Sequence, residues 1–130
     1  MSLTPTELAY LASQHLGRLA TLRPDGTLQN SPVGFQWNEE TSTIDIFGFN
    51  MESSRKFRNV AATGQVAFVV DDLPSVEPWR VRCLEIRGTA EAIEEPTPLI
   101  RVHPRRVISF GIEETDTEAH SLTLNARDVA

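Results

Sequence analysis

The sequence predicts a mainly β fold with short helices, closed as a barrel or packed as a sandwich. Alternating apolar and polar segments separated by turn-forming residues give the order helix, three strands, helix, three strands. Antiparallel strands in this number usually close into a barrel or a sandwich. The 130 residues fit one domain, expected at residues 1–112, and the acidic tail at 113–130 is expected to be partly disordered.

The first helix is predicted from a capping signal. Thr4 can cap it, Pro5 suits its first position, and Glu7 completes a capping box. Apolar residues follow at helical spacing through residues 8–12. Gly17 is expected to end this helix.

The strands are predicted from alternation and from turn residues. Pro24-Asp25-Gly26 forms a turn between the first two, because Pro presets φ and Gly accepts a positive φ. Pro32 and Gly34 predict a bulge or an edge in the second strand, where a flat ligand can approach the backbone. The strands are expected at residues 18–22, 27–37, 43–49, 65–70, 81–93 and 106–112, and the second helix at 55–62.

Composition narrows the function classes. The net charge is -6, whereas nucleic-acid binders usually carry a basic patch. No apolar run is long enough to span a membrane, and the N-terminus lacks the pattern of a signal peptide. The single cysteine, Cys83, excludes an internal disulfide and fits a reducing compartment. These features predict a cytoplasmic protein that binds neither nucleic acid nor membrane.

A cluster of cations at the predicted start of the second helix is the most informative segment. Arg55, Lys56 and Arg58 lie where the helix dipole disfavours positive charge. An anion between these cations and the helix end would make their position favourable. The hydroxyls of Ser53 and Ser54 would be further donors to it. Phosphate is the natural candidate. The alternative is a solvated helix face on which the charges cost little.

No motif predicts a metal site or a catalytic side chain. The three histidines are scattered without metal-ligand spacing, and no serine has an evident His or Asp partner for nucleophilic catalysis. Cys83 fits a small core residue. Trp79, beside Arg80 in a loop, suits ring stacking, an interface or a core anchor.

Several stretches match one protein family in order and spacing, among them Ser54-Arg55-Lys56-Phe57-Arg58-Asn59-Val60. The others are residues 8–14, 16–21, 24–26, 32–35, 43–46, 66–73, 78–80, 85–88 and 103–109. Through them the chain resembles the pyridoxamine-phosphate-oxidase-like, FMN-binding split barrels over most of residues 5–112. It is most similar to their deazaflavin-dependent branch, which uses coenzyme F-420, near a subgroup of tetracycline-pathway reductases.

The resemblance implies a six-stranded antiparallel split barrel that forms a homodimer with cofactor sites at the interface. It implies that Lys56, Arg55 and Ser54, beside Ser53, hold the cofactor phosphate, and that the segment from Asn30 lies along the ring system. The other implied cofactor-binding residues are Ser31, Pro32, Val33, Gly34, Phe49 and Asn50, with Trp79, Arg105 and Ser109 approaching from the partner subunit.

The implied activity is hydride transfer from coenzyme F-420 to an electron-poor C=C bond of a small, enone-like molecule. The alternatives are an FMN-dependent oxidase or reductase, a non-catalytic flavin or deazaflavin carrier, and an interaction domain without a small ligand. Two departures from the family pattern affect the substrate pocket more than the phosphate site. Phe110 stands where the family often has Trp, and the stretch before His103 is short.

Overall fold

The computed structural model describes residues 3–129, which form two α-helices and eight strands. The helices are α1 (Pro5–Ala12) and α2 (Arg55–Thr63), and short 3-10 helices cover Met51–Ser53 and Ala119–Ser121. The strands are β1 (Gly17–Leu22), β2 (Leu28–Val33), β3 (Gln36–Asn38), β4 (Thr43–Ile46), β5 (Gln65–Ser75), β6 (Arg80–Ile93), β7 (Leu99–Phe110) and β8 (Asn125–Asp128).

The strands form one antiparallel sheet in the order β2-β1-β5-β6-β7-β4-β3, with β8 also paired to β7. Strands β2 and β3 lie at opposite ends of this order, yet only Gly34 and Phe35 join them. A flat sheet would hold these ends about 29 Å apart. The two-residue link spans at most about 11 Å, so the sheet must curl into a barrel.

The barrel interior contains the alternate, inward-facing residues of the strands. Leu19, Phe68 and Ile86 are fully buried, and their neighbours along each strand are at least partly exposed. Phe68 also makes a T-shaped contact with Phe35, with ring centroids 5.2 Å apart. The period of two therefore separates a core face from an outer face, as the alternation predicted.

Helix α1 is fixed to the barrel by polar contacts. The predicted capping box is confirmed: Glu7 N–H donates to Thr4 Oγ1 at 3.1 Å, and Thr4 N–H donates to Glu7 Oε1 at 2.9 Å. The Tyr10 hydroxyl donates to Asp72 Oδ1 at 2.8 Å. These bonds hold α1 in one orientation against β5.

Helix α1 ends at Ala12, with Ser13 as its C-cap, so the expectation that Gly17 ends it was wrong. Gly17 begins β1 instead. A Cβ built there would lie 2.5 Å from the Phe68 ring, which explains the glycine by close packing.

Residues 3–129 form eight strands, two more than the six segments that the alternation predicted. The predicted second strand is interrupted at Gly34 and Phe35 and forms β2 and β3. Strand β7 begins at Leu99, seven residues before the last strand expected at 106–112. Strand β8 arises from the acidic tail, whose residues 125–128 are held by backbone pairing to β7.

Within residues 3–129, no helix has the length and apolar character needed to cross a membrane.

Candidate functional site

The start of α2 is shaped by a short run of capping interactions. Asn50 adopts a left-handed conformation, with φ 52° and ψ 40°, and turns the chain into the 3-10 helix. The Ser53 hydroxyl donates to the Asn50 carbonyl at 3.0 Å. Ser54 caps α2 by accepting from Phe57 N–H at 3.3 Å, and its hydroxyl donates to the Met51 carbonyl at 2.7 Å. The cap satisfies the Phe57 N–H. The N–H groups of Arg55 and Lys56, in the same first turn, have no acceptor within the helix.

Unpaired positive charge is concentrated at this helix start. All twelve Lys and Arg residues lie in the described part of the chain, and seven of them, all arginines, form salt bridges there. The five without one are Arg23, Arg55, Lys56, Arg58 and Arg105. Three of these five fall within residues 55–58, in a protein with a net charge of -6.

Helix α2 is attached to β1 and β2 by side-chain hydrogen bonds. Asn59 Nδ2 donates to Thr21 Oγ1 at 3.0 Å and to Gln29 Oε1 at 3.2 Å. One turn later, the Thr63 hydroxyl donates to the Leu22 carbonyl at 2.8 Å. The helix therefore runs in the direction of β1.

The segment from Asn30 to Gly34 combines an edge strand with an open backbone. Asn30 and Pro32 are exposed, whereas Val33 is buried and Ser31 faces inward. The Ser31 hydroxyl is buried without a hydrogen-bond partner among the described residues. A Cβ at Gly34 would meet nothing within 4 Å, so the backbone is open to an incoming group there.

Exposed aromatic rings lie just before the cationic cluster. Phe49 is fully exposed and Phe47 is 42% exposed, in the segment that joins β4 to the 3-10 helix. Asn50 accepts the hydrogen bond from the Ser53 hydroxyl, and Phe49 directly precedes Asn50 in the chain.

The three residues expected to reach the site from the partner subunit, Trp79, Arg105 and Ser109, differ in their exposure to solvent. Trp79 is 54% exposed in the turn between β5 and β6, and its carbonyl accepts from Ala119 N–H at 3.2 Å. Arg105 is exposed on β7. Ser109 is 2% exposed and faces the interior, so its side chain is not presented at the surface. No hydrogen bond or salt bridge among residues 3–129 links these three to the α2 cluster.

Cys83 and Tyr10 are the two other reactive side chains considered for the site, and neither suits nucleophilic chemistry. Burial, with the nearby carboxylates of Asp71 and Glu85, raises the pKa of the Cys83 thiol to about 11. Burial and the hydrogen bond to Asp72 raise the pKa of Tyr10, so its hydroxyl stays protonated. Within the part of the chain that the structure describes, no group of three or more His, Cys, Asp or Glu side chains could hold a metal ion.

The sequence did not predict a groove whose lining begins directly after the segment 30–34. A groove lies between α1 and β3, and its walls include Leu8, Phe35 and Trp37. The signal available in the sequence was a pair of aromatic residues directly after the segment 30–34. Their meeting with α1 depends on barrel closure, which pattern reasoning does not supply.

The family model described as pyridoxamine 5'-phosphate oxidase matches residues 3–126. The chain belongs to this family. A 5a,11a-dehydrotetracycline/5a,11a-dehydrooxytetracycline reductase from Streptomyces rimosus subsp. rimosus is 45% identical over 138 aligned positions, which cover 98% of this chain and 97% of that protein. The family assignment confirms the resemblance on which the site residues were inferred.

Solved structures place this pyridoxamine 5'-phosphate oxidase family member among mainly β split barrels. A conserved hypothetical protein from Mycobacterium tuberculosis has a TM-score of 0.72 and 19% identity, with 88% of this chain and 89% of that one covered. A structure named F420 reductase has a TM-score of 0.53 and 28% identity, covering 69% and 86% of the two chains. The expected fold class is confirmed.

Proposed function

We propose that this protein is a homodimeric oxidoreductase that binds coenzyme F-420 and transfers a hydride to an electron-poor C=C bond of a small, enone-like molecule. Membership of the pyridoxamine 5'-phosphate oxidase family supports a flavin-type cofactor. The 45% identical relative is named a reductase, and a solved structure of the same fold is named F420 reductase. The observation that carries the proposal is the group of unpaired cations at Arg55, Lys56 and Arg58.

The residues present fit a phosphate-bearing cofactor. Lys56 and Arg55 supply charge, and their own backbone N–H groups lack helical acceptors. The hydroxyls of Ser53 and Ser54 already donate to the Asn50 and Met51 carbonyls, so each would have to rotate to donate to a phosphate. A dianion here would be stabilised by charge-assisted hydrogen bonds and by the positive end of the helix.

The remainder of the cofactor would contact segments on both sides of the cluster. The open backbone at Gly34 and the exposed Asn30 and Pro32 suit the face or edge of a flat ring system. Phe49 and Asn50 flank it from the α2 side. Trp79 and Arg105, both exposed, are the residues we assign to the partner subunit, and Ser109 would need to act from inside the barrel wall.

When bound and reduced, a deazaflavin supplies the hydride. The residues of this chain contribute placement: the cations fix one end, and the β2 segment fixes the ring plane. No side chain at the site is assigned as a general acid or base. A proton for the product would come from water.

The homodimer is proposed from an apolar patch on the outer face of the sheet. This β1–β5 outer patch consists of Ala20, Leu22, Leu28, Ala67 and Val69, which approach one another through the pairing of β2, β1 and β5. Leu28 is 74% exposed in the single chain. Apolar area of this kind is usually covered by another protein surface, and the patch adjoins Asn30 of the site.

Replacing Lys56 with alanine tests the phosphate assignment. We expect Lys56→Ala to weaken cofactor binding by about 1.5–3 kcal/mol, less if solvent screens the charge, because one charge-assisted contact is lost. Titration calorimetry with coenzyme F-420 and with FMN measures the change. Arg23→Ala is the matched control, since Arg23 is also a cation without a salt bridge but lies in the β1–β2 turn. Equal affinity of Lys56→Ala and wild type for both cofactors would show that the site is misplaced.

The identity of the cofactor is tested by retention. Protein is incubated with coenzyme F-420 or FMN, desalted, and examined by absorbance; the proposal expects the deazaflavin spectrum to remain with the protein. Retention of FMN alone would favour an FMN-dependent oxidase or reductase. Reduced holoprotein that is not oxidised by a broad panel of enones in single-turnover mixing would favour a carrier.

A further inference from the structure

Asn59 of α2 is a buried polar side chain that joins three elements of the fold. It is 1% exposed, and its Nδ2 group donates to Thr21 Oγ1 of β1 and to Gln29 Oε1 of β2. Thr21 and Gln29 lie directly opposite each other in the β1–β2 ladder. One amide therefore bridges a cross-strand pair and ties both strands to the helix.

On the helix, this tie lies one turn from the proposed phosphate site. Lys56 precedes Asn59 by three residues, so the two side chains are neighbours on the helix surface, about 4.5 Å apart along its axis. Lys56 is half-buried, whereas Arg55 and Arg58 are exposed. Because the backbone hydrogen bonds of α2 make the turn rigid, any shift of Asn59 against the strands carries Lys56 with it.

On the strand, the tie lies beside the proposed ring segment. Gln29 directly precedes Asn30, the first residue of the segment 30–34. Within residues 3–129, β2 pairs only with β1, and Asn59 makes the only side-chain hydrogen bond that joins α2 to β2. The relative position of the phosphate and ring segments is therefore set in part by this bond.

The contribution of this amide is direction more than stability. Phe57 and Val60 already bury α2 against the core, and apolar contacts have no preferred direction. Asn59 Oδ1 is buried without a hydrogen-bond partner among the described residues. A partly satisfied buried amide gives little net stability over an apolar side chain. Its two N–H···O bonds, by contrast, are directional and fix where the helix sits along the strands.

We propose that Asn59 is a positioning residue for the cofactor, which sets the separation between the cations that hold the phosphate and the β2 segment that holds the ring system. This inference rests on the proposed function. A ligand held at two subsites gains from both only when their spacing matches its own length. Loss of the Asn59 amide therefore lowers the contribution of the phosphate to binding, although every group that contacts the cofactor is still present.

The phosphate advantage measures this positioning. It is the ratio of two dissociation constants, those of the ribityl deazaflavin of coenzyme F-420 without and with its phosphate ester, determined by calorimetry on the full chain. We expect Asn59→Leu, which has no donor, to lower this ratio by about fivefold or more. Its affinity for the phosphate-free probe should stay within about twofold of wild type. Gln29→Met, which removes the acceptor on β2, should lower the ratio in the same direction.

Thr63→Val is the matched control. The Thr63 hydroxyl also attaches α2 to the sheet, by donating to the Leu22 carbonyl at 2.8 Å, but it lies at the other end of the helix from Lys56. This variant should lower the Tm and keep the wild-type phosphate advantage, because it leaves the tie to β2 intact.

Three results would overturn the assignment: an equal loss of affinity for both probes in Asn59→Leu, an equal fall in the phosphate advantage in Thr63→Val, or a wild-type advantage in Gln29→Met. If Asn59→Leu does not fold, Gln29→Met decides alone.

The proposed function fails in a different way. If wild type binds the two probes equally, the phosphate site itself is refuted, and the positioning role with it. A clear phosphate advantage that is the same in wild type, Asn59→Leu and Gln29→Met would leave the proposed function standing and remove Asn59 from it.

Discussion

A buried carboxylate, Glu7, joins the first helix to the last strand. It is 3% exposed and receives two hydrogen bonds from Arg127, at 2.6 and 2.7 Å, across 120 residues of sequence. Burial alone would raise the pKa of Glu7, but the hydrogen bonds and charge of Arg127, with the bonds from Thr4, outweigh it and lower this pKa. The folded state therefore favours the ionised carboxylate.

This shift gives the free energy of unfolding a pH dependence with a definite sign. Because the folded pKa of Glu7 is lowered, its stabilising effect is fully present above the ordinary carboxyl pKa and is lost as the pH falls through the folded value. We expect Glu7→Gln to lose about 1.5–3 kcal/mol at pH 7. Between pH 5 and pH 3, the free energy of unfolding should fall less for this variant than for wild type.

Thermal unfolding followed across this pH range measures both effects. Glu52→Gln is the matched control, since Glu52 is exposed and should leave stability at pH 7 unchanged. If Glu7→Gln lost as much stability as wild type when the pH falls, the assignment of this pH dependence to Glu7 would be contradicted.

The long hairpin of β6 and β7 depends on a β-bulge. Arg87 pairs with Arg106 and Gly88 pairs with Pro104, so Arg105 is the extra residue. The bulge accommodates Pro104, which has no N–H for the ladder, and leaves Arg105 exposed. Strand β7 thereby presents Arg105, a cation without a salt bridge, at its surface.

Gly88 is required by the close approach of the two strands at this bulge. A Cβ on Gly88 would lie 2.0 Å from the His103 carbonyl oxygen. We expect Gly88→Ala to destabilise the protein by about 1–3 kcal/mol, through forced backbone shifts. The corresponding fall in Tm is about 5–15 °C, measured by calorimetry. Gly34→Ala, at an open position, should keep the wild-type Tm; equal Tm values for all three proteins would refute this account.

At the scale of the whole molecule, barrel closure decides which surfaces are left for association. The inward-facing side chains fill the interior, and the β1–β5 outer patch remains apolar and uncovered in the single chain. In the proposed homodimer, a second copy would cover this patch, and the added burial would stabilise a domain of 130 residues.

A charge placed in the middle of the outer patch tests the homodimer. Ala67 pairs with Ala20 on β1 and with Arg87 on β6, so Ala67→Arg adds a second guanidinium to the proposed contact. We expect this variant to elute as a folded monomer where wild type elutes as a dimer, because burying an unpaired charge is unfavourable. Light scattering after size exclusion measures the mass. Ala9→Arg, exposed on α1, should remain dimeric; an unchanged mass for Ala67→Arg would remove this face from the interface.

The sequence alone determined the features that depend on neighbouring residues. The capping box at Thr4 and Glu7 formed as predicted, and the turn at residues 24–26 closes with Arg23 N–H donating to the Thr27 carbonyl at 2.8 Å. The cation cluster at 55–58 was visible because one helix turn places it together. Resemblance, rather than spacing, supplied the assignments of more distant site residues, and these remain predictions.

Only the tertiary structure decided the features that join distant parts of the chain. Gly17 was mistaken for a helix end because its packing against Phe68, 51 positions later, leaves no local signal. Residues 99–104 fell between the predicted strands and the tail was expected to be partly disordered, but residues 99–104 and 125–128 pair with neighbouring strands. The groove between α1 and β3 exists only once the barrel closes, because backbone hydrogen bonds between remote strands, not local preference, bring its walls together.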